Sequence, residues 1–251
     1  NQMRLIIRIT RTTISFTAPN TVIEGQTDFE QYSMKTGISV AANMRQALAD
    51  CRLLQVHTSP TQNGQTMPSQ YHPVFSQVRV YVDTPLLLIP AEEFDADAAP
   101  LLYHHVNTIC ENDDVDTVQI PAANVVAAFA VGKDLRFVLT ERFLHVEFLH
   151  LLGPVITEFS RFASGGFQEK MFCYFHDRRV DIFSFRKGRL RISTSFEIST
   201  TEDSAYYILN TWQQLGMRKT DVLCLSGNIT GHEALLNMLK QFVRNIKHVN
   251  I

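Results

Sequence analysis

The chain has little of what would announce a chemistry. Its four cysteines, Cys51, Cys110, Cys173 and Cys224, lie far apart with no Cys-x-x-Cys pair. That spacing speaks against a disulfide framework or a zinc site and predicts a reducing compartment. No apolar run approaches the ~20 residues of a spanning helix, so no membrane span is expected. Met3–Thr17 alternates polar and apolar residues where a signal peptide would need a continuous apolar stretch, and a cytoplasmic location is predicted. A net charge of −2 gives no electrostatic reason to expect nucleic acid as a partner. There is no Gly-x-Ser-x-Gly elbow and no phosphate-binding Walker loop. What is present is an ordinary globular composition, 45% hydrophobic and 19% charged over 251 residues, enough for one large domain or two lobes.

The second half carries the clearest pattern. Three apolar runs, Met171–Phe175, Val180–Phe185 and Leu190–Ile198, are separated by short polar or glycine-containing breaks, which reads as a three-stranded meander. Ser199 with Glu202 fits a capping box, followed by an amphipathic helix at Ala205, Ile208, Leu209, Trp212 and Leu215 that Gly216 ends. Val222–Leu225 reads as a buried strand. Thr230 with Glu233 suggests a second capping box, and His248–Ile251 closes the chain as a short strand.

The first half repeats this order less plainly. Arg4–Ile9 and Thr12–Thr17 form a hairpin, with a third strand near Val22–Glu24. Ser39 caps a helix reaching Leu54, and His57–Gln70 has loop composition. Val78–Val82 and Leu86–Ile89 are strands. A helix is expected over Ala91–His105, with Glu92, Glu93, Asp95 and Asp97 at its start, where the dipole favours carboxylates over a metal-site reading. Val115–Ile120 and Val125–Val131 are strands around Pro121, Asp134–Phe143 is a helix, His145–Leu149 a strand and Pro154–Phe162 a helix. Ser164-Gly165-Gly166 is the best linker.

Strand–strand–strand–helix–strand–helix–strand is the order of the ribonuclease-H-like unit, and the chain resembles the actin, heat-shock chaperone and sugar-kinase superfamily in which that unit is duplicated. Val222-Leu-Cys-Leu-Ser-Gly-Asn228 before a helix is similar to that superfamily's adenosine motif. Arg79–Val106, with Leu88-Ile-Pro-Ala-Glu-Glu-Phe94, looks like the inserted subdomain of the bacterial cell-division and pilus-assembly actin homologues. Gly188-Arg-Leu190, Ser195-Phe196 and Thr201–Tyr207 resemble the pattern of an uncharacterised bacterial family. The implied fold is α/β: two actin-like lobes, 1–166 and 167–251, with mixed five-stranded sheets, flanking helices and an insertion at about 78–117 in the first lobe.

The resemblance also implies where nucleotide would sit. Each lobe's first hairpin holds phosphate through Asp-x-Gly followed by Thr, Ser or Gly, because glycine lets backbone amides approach the oxygens and the aspartate organises Mg²⁺. Here Arg8 and Thr10 stand at those places in the first hairpin, where no acidic residue occurs between Met3 and Val22. Tyr174 and His176 stand there in the second. Of the adenosine-motif glycines only Gly227 survives, beside Asn228. The candidate cleft residues are therefore Thr10, Thr12, His176, Ser226, Gly227 and Asn228, with no catalytic residue, no metal and no cofactor, ATP being the one nucleotide left open. The expected role is a non-catalytic scaffold with a protein partner; a rebuilt nucleotide- or metabolite-binding cleft is the alternative.

Other polar clusters read as structural. His145, Glu147 and His150 sit on a strand with His150 on the opposite face, and His104 and His105 diverge on a helix. Arg178, Arg179, Arg186, Lys187, Arg189 and Arg191 read as a solvated sheet face. Asp177 suits a tight turn, Asp181 alternates away from the core, and Tyr206, Tyr207 and Trp212 are core candidates.

Overall fold

The computed structural model describes residues 4–20, 23–54, 75–108, 112–165 and 168–251. The expected loop His57–Gln70, Val22, Cys110 and Gly166 fall outside them. Two compact units are formed, one of Asn1–Leu87, Phe94–Val118 and Ala127–Leu151, the other of Leu88–Glu93, Gln119–Val126 and Leu152–Ile251. The division at Leu151 and Leu152 lies one helix before the Ser164–Gly166 linker.

The first sheet contains β1 (Arg4–Ile9), β2 (Thr13–Pro19), β3 (Thr27–Ser33), β4 (Gln77–Val82) and β8 (Val146–His150), in the order β3-β2-β1-β4-β8. β1 is antiparallel to β2, β2 to β3, and the β1, β4 and β8 neighbours are parallel. Alternation puts Leu5, Ile7, Ile14, Phe16, Val78, Val80 and Phe148 on one face. There they bury against Met44 and Ala47 of α1 (Val40–Asp50) and Leu135, Val138 and Leu139 of α3 (Lys133–Arg142). Each such side chain contributes about 1.5–3 kcal/mol of burial. Ser39 caps α1 as expected, its hydroxyl accepting from Ala42 N–H.

Two first-half expectations change. Ile23–Gly25 is a turn organised by Asn20, whose side-chain oxygen accepts from Ile23 N–H at 2.7 Å, and the third strand comes later, at β3. Val78–Val82, expected inside the insertion, is β4 and a full member of the first sheet. The elements that leave this sheet are β5 (Leu86–Pro90), α2 (Ala99–Val106), β6 (Asp113–Ile120) and β7 (Val125–Gly132), with the three strands forming a sheet of order β5-β7-β6. The helix expected from Ala91 begins only at Ala99, so Glu92, Glu93, Asp95 and Asp97 do not occupy its first turn. Asp95 instead accepts from the Asp97 and Ala98 amides, an Asx-type turn that holds the chain out of the helix.

The second sheet contains β9 (Lys170–His176), β10 (Arg179–Arg186), β11 (Arg189–Glu197), β12 (Val222–Gly227) and β13 (Asn245–His248), in the order β11-β10-β9-β12-β13. Its antiparallel and parallel pairings repeat those of the first sheet. One face packs against α5 (Thr201–Gln214) and α6 (His232–Leu239) through Met171, Cys173, Phe175, Ile182, Ile208 and Trp212. The other carries α4 (Leu152–Ala163), whose Phe159 stacks on Phe172 at 4.5 Å and leans on Phe183. Lys170 closes the end of α4, its ammonium donating to the Phe162 and Gly165 carbonyls.

The cap of α5 is Thr200 with Asp203, one residue beyond the expected Ser199 and Glu202. Its C-terminus is a Schellman turn: Gly216 at φ +66°, Gly216 N–H on Gln213 O and Met217 N–H on Trp212 O. The cap of α6 is Gly231, also left-handed and without a side-chain cap, so the Thr230–Glu233 box does not form. A Cβ at Gly231 would lie 2.6 Å from Thr201 Oγ1. Among the described residues no helix is long and apolar enough to cross a membrane.

Candidate functional site

The first hairpin turn satisfies its own amides. Thr10 Oγ1 accepts from the N–H groups of Thr12 and Thr13 at 3.3 and 3.1 Å and lies 3.0 Å from Thr13 Oγ1. Thr10 N–H donates to Thr13 O, and Thr12 O accepts from Met34 N–H. A threonine hydroxyl thus occupies the donors that a glycine turn would leave for an anion. Thr10 and Thr12 are turn-closing residues in the first unit.

The second hairpin turn has two residues, Asp177 and Arg178, both left-handed at φ 43° and 58°, the arrangement of a type I′ turn. Behind it the side chains of His176, Arg179 and Asp181 form a buried ionic cluster, 8%, 8% and 2% exposed. His176 Nε2 lies 2.5 Å from Asp181 Oδ2, and Arg179 Nε lies 3.5 Å from the same oxygen. Burial pushes the Asp181 carboxyl up, but the His176 hydrogen bond, the Arg179 guanidinium and the Ser195 hydroxyl together outweigh it and hold it below the usual range. A carboxylate at Asp181 fixes the proton on Nε2, so the 3.2 Å approach of Arg179 Nη2 to that nitrogen is a contact, not a donated bond. The other ring nitrogen, Nδ1, is buried with no hydrogen-bond partner among the described residues and lies 3.9 Å from Asp177 Oδ2. Tyr174 covers the imidazole at 5.0 Å between ring centres.

Strand β12 sets the remaining candidates beside this cluster. Ser226 pairs in register with Tyr174 and Gly227 with Phe175. Ser226 Oγ is buried and has no hydrogen-bond partner among the described residues. Gly227 is fixed by backbone geometry: φ is +86°, and a Cβ would lie 2.2 Å from Phe175 O. Asn228 N–H donates to that same oxygen at 2.8 Å. His176, Ser226, Gly227 and Asn228 thus share one end of the second sheet, within one unit.

Sequence reasoning took Arg179 and Asp181 for solvent-facing residues. They do point away from the α5 and α6 core, but the opposite face is also closed. The available signal was a histidine and an aspartate flanking a two-residue turn, where strand pairing sets Asp181 opposite Tyr174 and diagonal to His176. His150 is likewise buried, with Nε2 2.8 Å from Thr84 O and its ring against Phe129. Tyr206 is exposed, while Tyr207 stacks on Phe196 at 4.3 Å and Trp212 is in the core. The described cysteines Cys51, Cys173 and Cys224 are free and buried.

Residues 1–246 match the family described as "Protein of unknown function (DUF3822)". The chain belongs to that family. It is similar, at 27% identity and a TM-score of 0.82, to a crystal structure from Bacteroides thetaiotaomicron described as a protein with actin-like ATPase fold and unknown function, covering 99% of this chain and 91% of that one. A structure of the PilM-PilN type IV pilus biogenesis complex matches at 10% identity and a TM-score of 0.53, over 98% of this chain and 88% of that one, a likeness of fold alone. No curated protein sequence matches. The fold is the actin-like ATPase fold.

Proposed function

We propose that this member of the family is an actin-like scaffold with a degenerate nucleotide site, acting through a protein partner and without Mg-ATP hydrolysis. The observation that carries the reading is the first hairpin: no carboxylate stands there, and Thr10 takes up the amides of Thr12 and Thr13. The second hairpin supports it, since Tyr174 and His176 replace the acidic and glycine positions and His176 is held by Asp181. Under this reading Thr10, Thr12, Ser226, Gly227 and Asn228 are inherited framework. The two lobes are the two units, with α4 belonging to the second, and the location is cytoplasmic. A fold likeness to a component of a pilus-assembly complex is consistent with a partner-binding role.

A second reading is favoured by one observation. The Asp181–His176 pair leaves Nδ1 buried without a hydrogen-bond partner among the described residues, and the Ser226 hydroxyl on the neighbouring strand is in the same position, which suits a rebuilt cleft taking a small polar ligand. Thermal shift separates the two. A nucleotide at a hundredfold its Kd adds about 2.7 kcal/mol to the native state. No change in Tm with Mg-ATP, Mg-ADP or Mg-GTP is expected, and clear stabilisation by any of them would sink the scaffold reading.

A further inference from the structure

The first sheet has one face sealed by α1 and α3 and one that the described residues leave largely open. On the open face strand register aligns Phe29, Thr17, Ile6, Arg79 and Glu147 in one row across all five strands, with Ser15, Arg8, Tyr81 and Leu149 in the next. Phe29 is 60% exposed, and Ile6, Tyr81 and Leu149 are only half-buried. The inner strands β1 and β4 are parallel to their neighbours on the β8 side, and parallel strands are ordinarily covered on both faces. A groove of about 320 Å³ crosses this face, lined by Arg4, Ile6, Thr17, Pro19, Thr27 and Gln77.

The chain itself shows what fits such a face. In the second sheet, which repeats the strand order, the equivalent face is closed by one amphipathic helix, α4, over Phe172, Phe183 and Phe185. The open face differs in charge. Arg4, Arg8 and Arg79 stand on it against the single carboxylate of Glu147, which pairs with Arg79 at 2.8 Å. Among the described residues the Arg4 side chain donates to the neutral Gln77 side chain and meets no carboxylate. The Arg8 side chain has no hydrogen bond or ion pair among the described residues. A covering helix must therefore bring carboxylates of its own.

We propose that this face is the docking surface for an amphipathic helix of a partner protein, its apolar ridge lying on Ile6, Thr17 and Phe29 and its acidic flank meeting Arg4 and Arg8. The surface takes in Arg8, which stands where the resemblance would put the first hairpin's aspartate, but none of Thr10, Thr12, His176, Ser226, Gly227 and Asn228; nucleotide thermal shift and peptide binding are separate readouts, so either can fail without the other.

The probe is a designed helical peptide of about four turns with a leucine ridge flanked by glutamates, alongside a twin flanked by lysines. Amide shifts should map to β1, β2 and β3, with the glutamate peptide binding about tenfold tighter or more at low salt. Arg8→Glu, an exposed substitution checked for unchanged Tm, should abolish that preference. Absence of binding, binding without charge preference, shifts on another surface or an unaffected Arg8→Glu would overturn the proposal. A photo-crosslinker at Phe29 in cells supplies the native occupant. A crosslink to an acidic amphipathic helix of another protein supports it. A crosslink to a second copy, to another stretch of this polypeptide or to nothing overturns it.

Discussion

In the first sheet the face bearing Ile6, Arg8 and Arg79 lies exposed or half-exposed, whereas in the second the face bearing Phe172, Phe183 and Phe185 is sealed beneath α4. The two sheets share strand order and pairing direction. Their first turns also diverge. One is a threonine loop that caps its own amides. The other is a two-residue turn backed by a buried Arg–His–Asp cluster. Two sheets of the same strand order and pairing thus differ in their first turns and in what covers one face.

The contrast between faces is the easiest to break. Phe159→Ala empties the space above Phe172 and should cost about 3–5 kcal/mol in urea unfolding. Phe29→Ala on the open face should stay within about 0.5 kcal/mol. Equal losses would mean that the first face is closed. Asp181→Ala removes the buried carboxylate that holds His176 and lies 3.5 Å from Arg179, and should cost about 3 kcal/mol or more. The same carboxylate gives a pH signature. Its pKa is lower folded than unfolded, so its contribution is complete above the unfolded value of about 3.9 and is lost as pH falls from there through the folded value. Asp181→Asn should remove that part of the acid sensitivity, read as midpoint against pH.

Gly227→Ala tests whether that glycine is framework. The left-handed φ and the 2.2 Å approach to Phe175 O should cost about 2–3 kcal/mol; a neutral result would return Gly227 to the ligand-binding candidates. The smallest effect concerns the α5 cap. Thr200→Ala should lose about 1 kcal/mol, and Ser199→Ala no more than about 0.5.

That cap marks the limit of what sequence discloses. Ser199, Thr200, Glu202 and Asp203 offer two overlapping boxes of the same chemistry, and only backbone geometry, with Asp203 reaching the Ser199 and Thr200 amides, selects one. Strands with a continuous apolar face, β1, β9 and β12, were legible because alternation or burial left no other reading. Strand β3 was not: Thr27–Ser33 is an edge strand, polar on one side and only half-buried on the other, so its periodicity carries little hydrophobic contrast. The ionic cluster was hidden for a different reason. Alternation shows that Asp181 turns away from one core, but not that a second layer closes over it. Strand order shows that His176, Ser226, Gly227 and Asn228 fall at one end of one sheet, whereas which of their amides and polar atoms are already taken is seen only in the folded chain.

Cys224 sits mid-strand in β12, paired on one side to β9 and on the other to β13. Burial pushes its thiol up to about 11, with Lys247 and Lys170 pulling only weakly the other way. At neutral pH it is therefore both shielded and protonated, and alkylating reagents must wait for the strand to open. The unmodified chain carries its own clock: pulse labelling of Cys224 times the opening of the second sheet's centre, and any true ligand of that lobe should slow it.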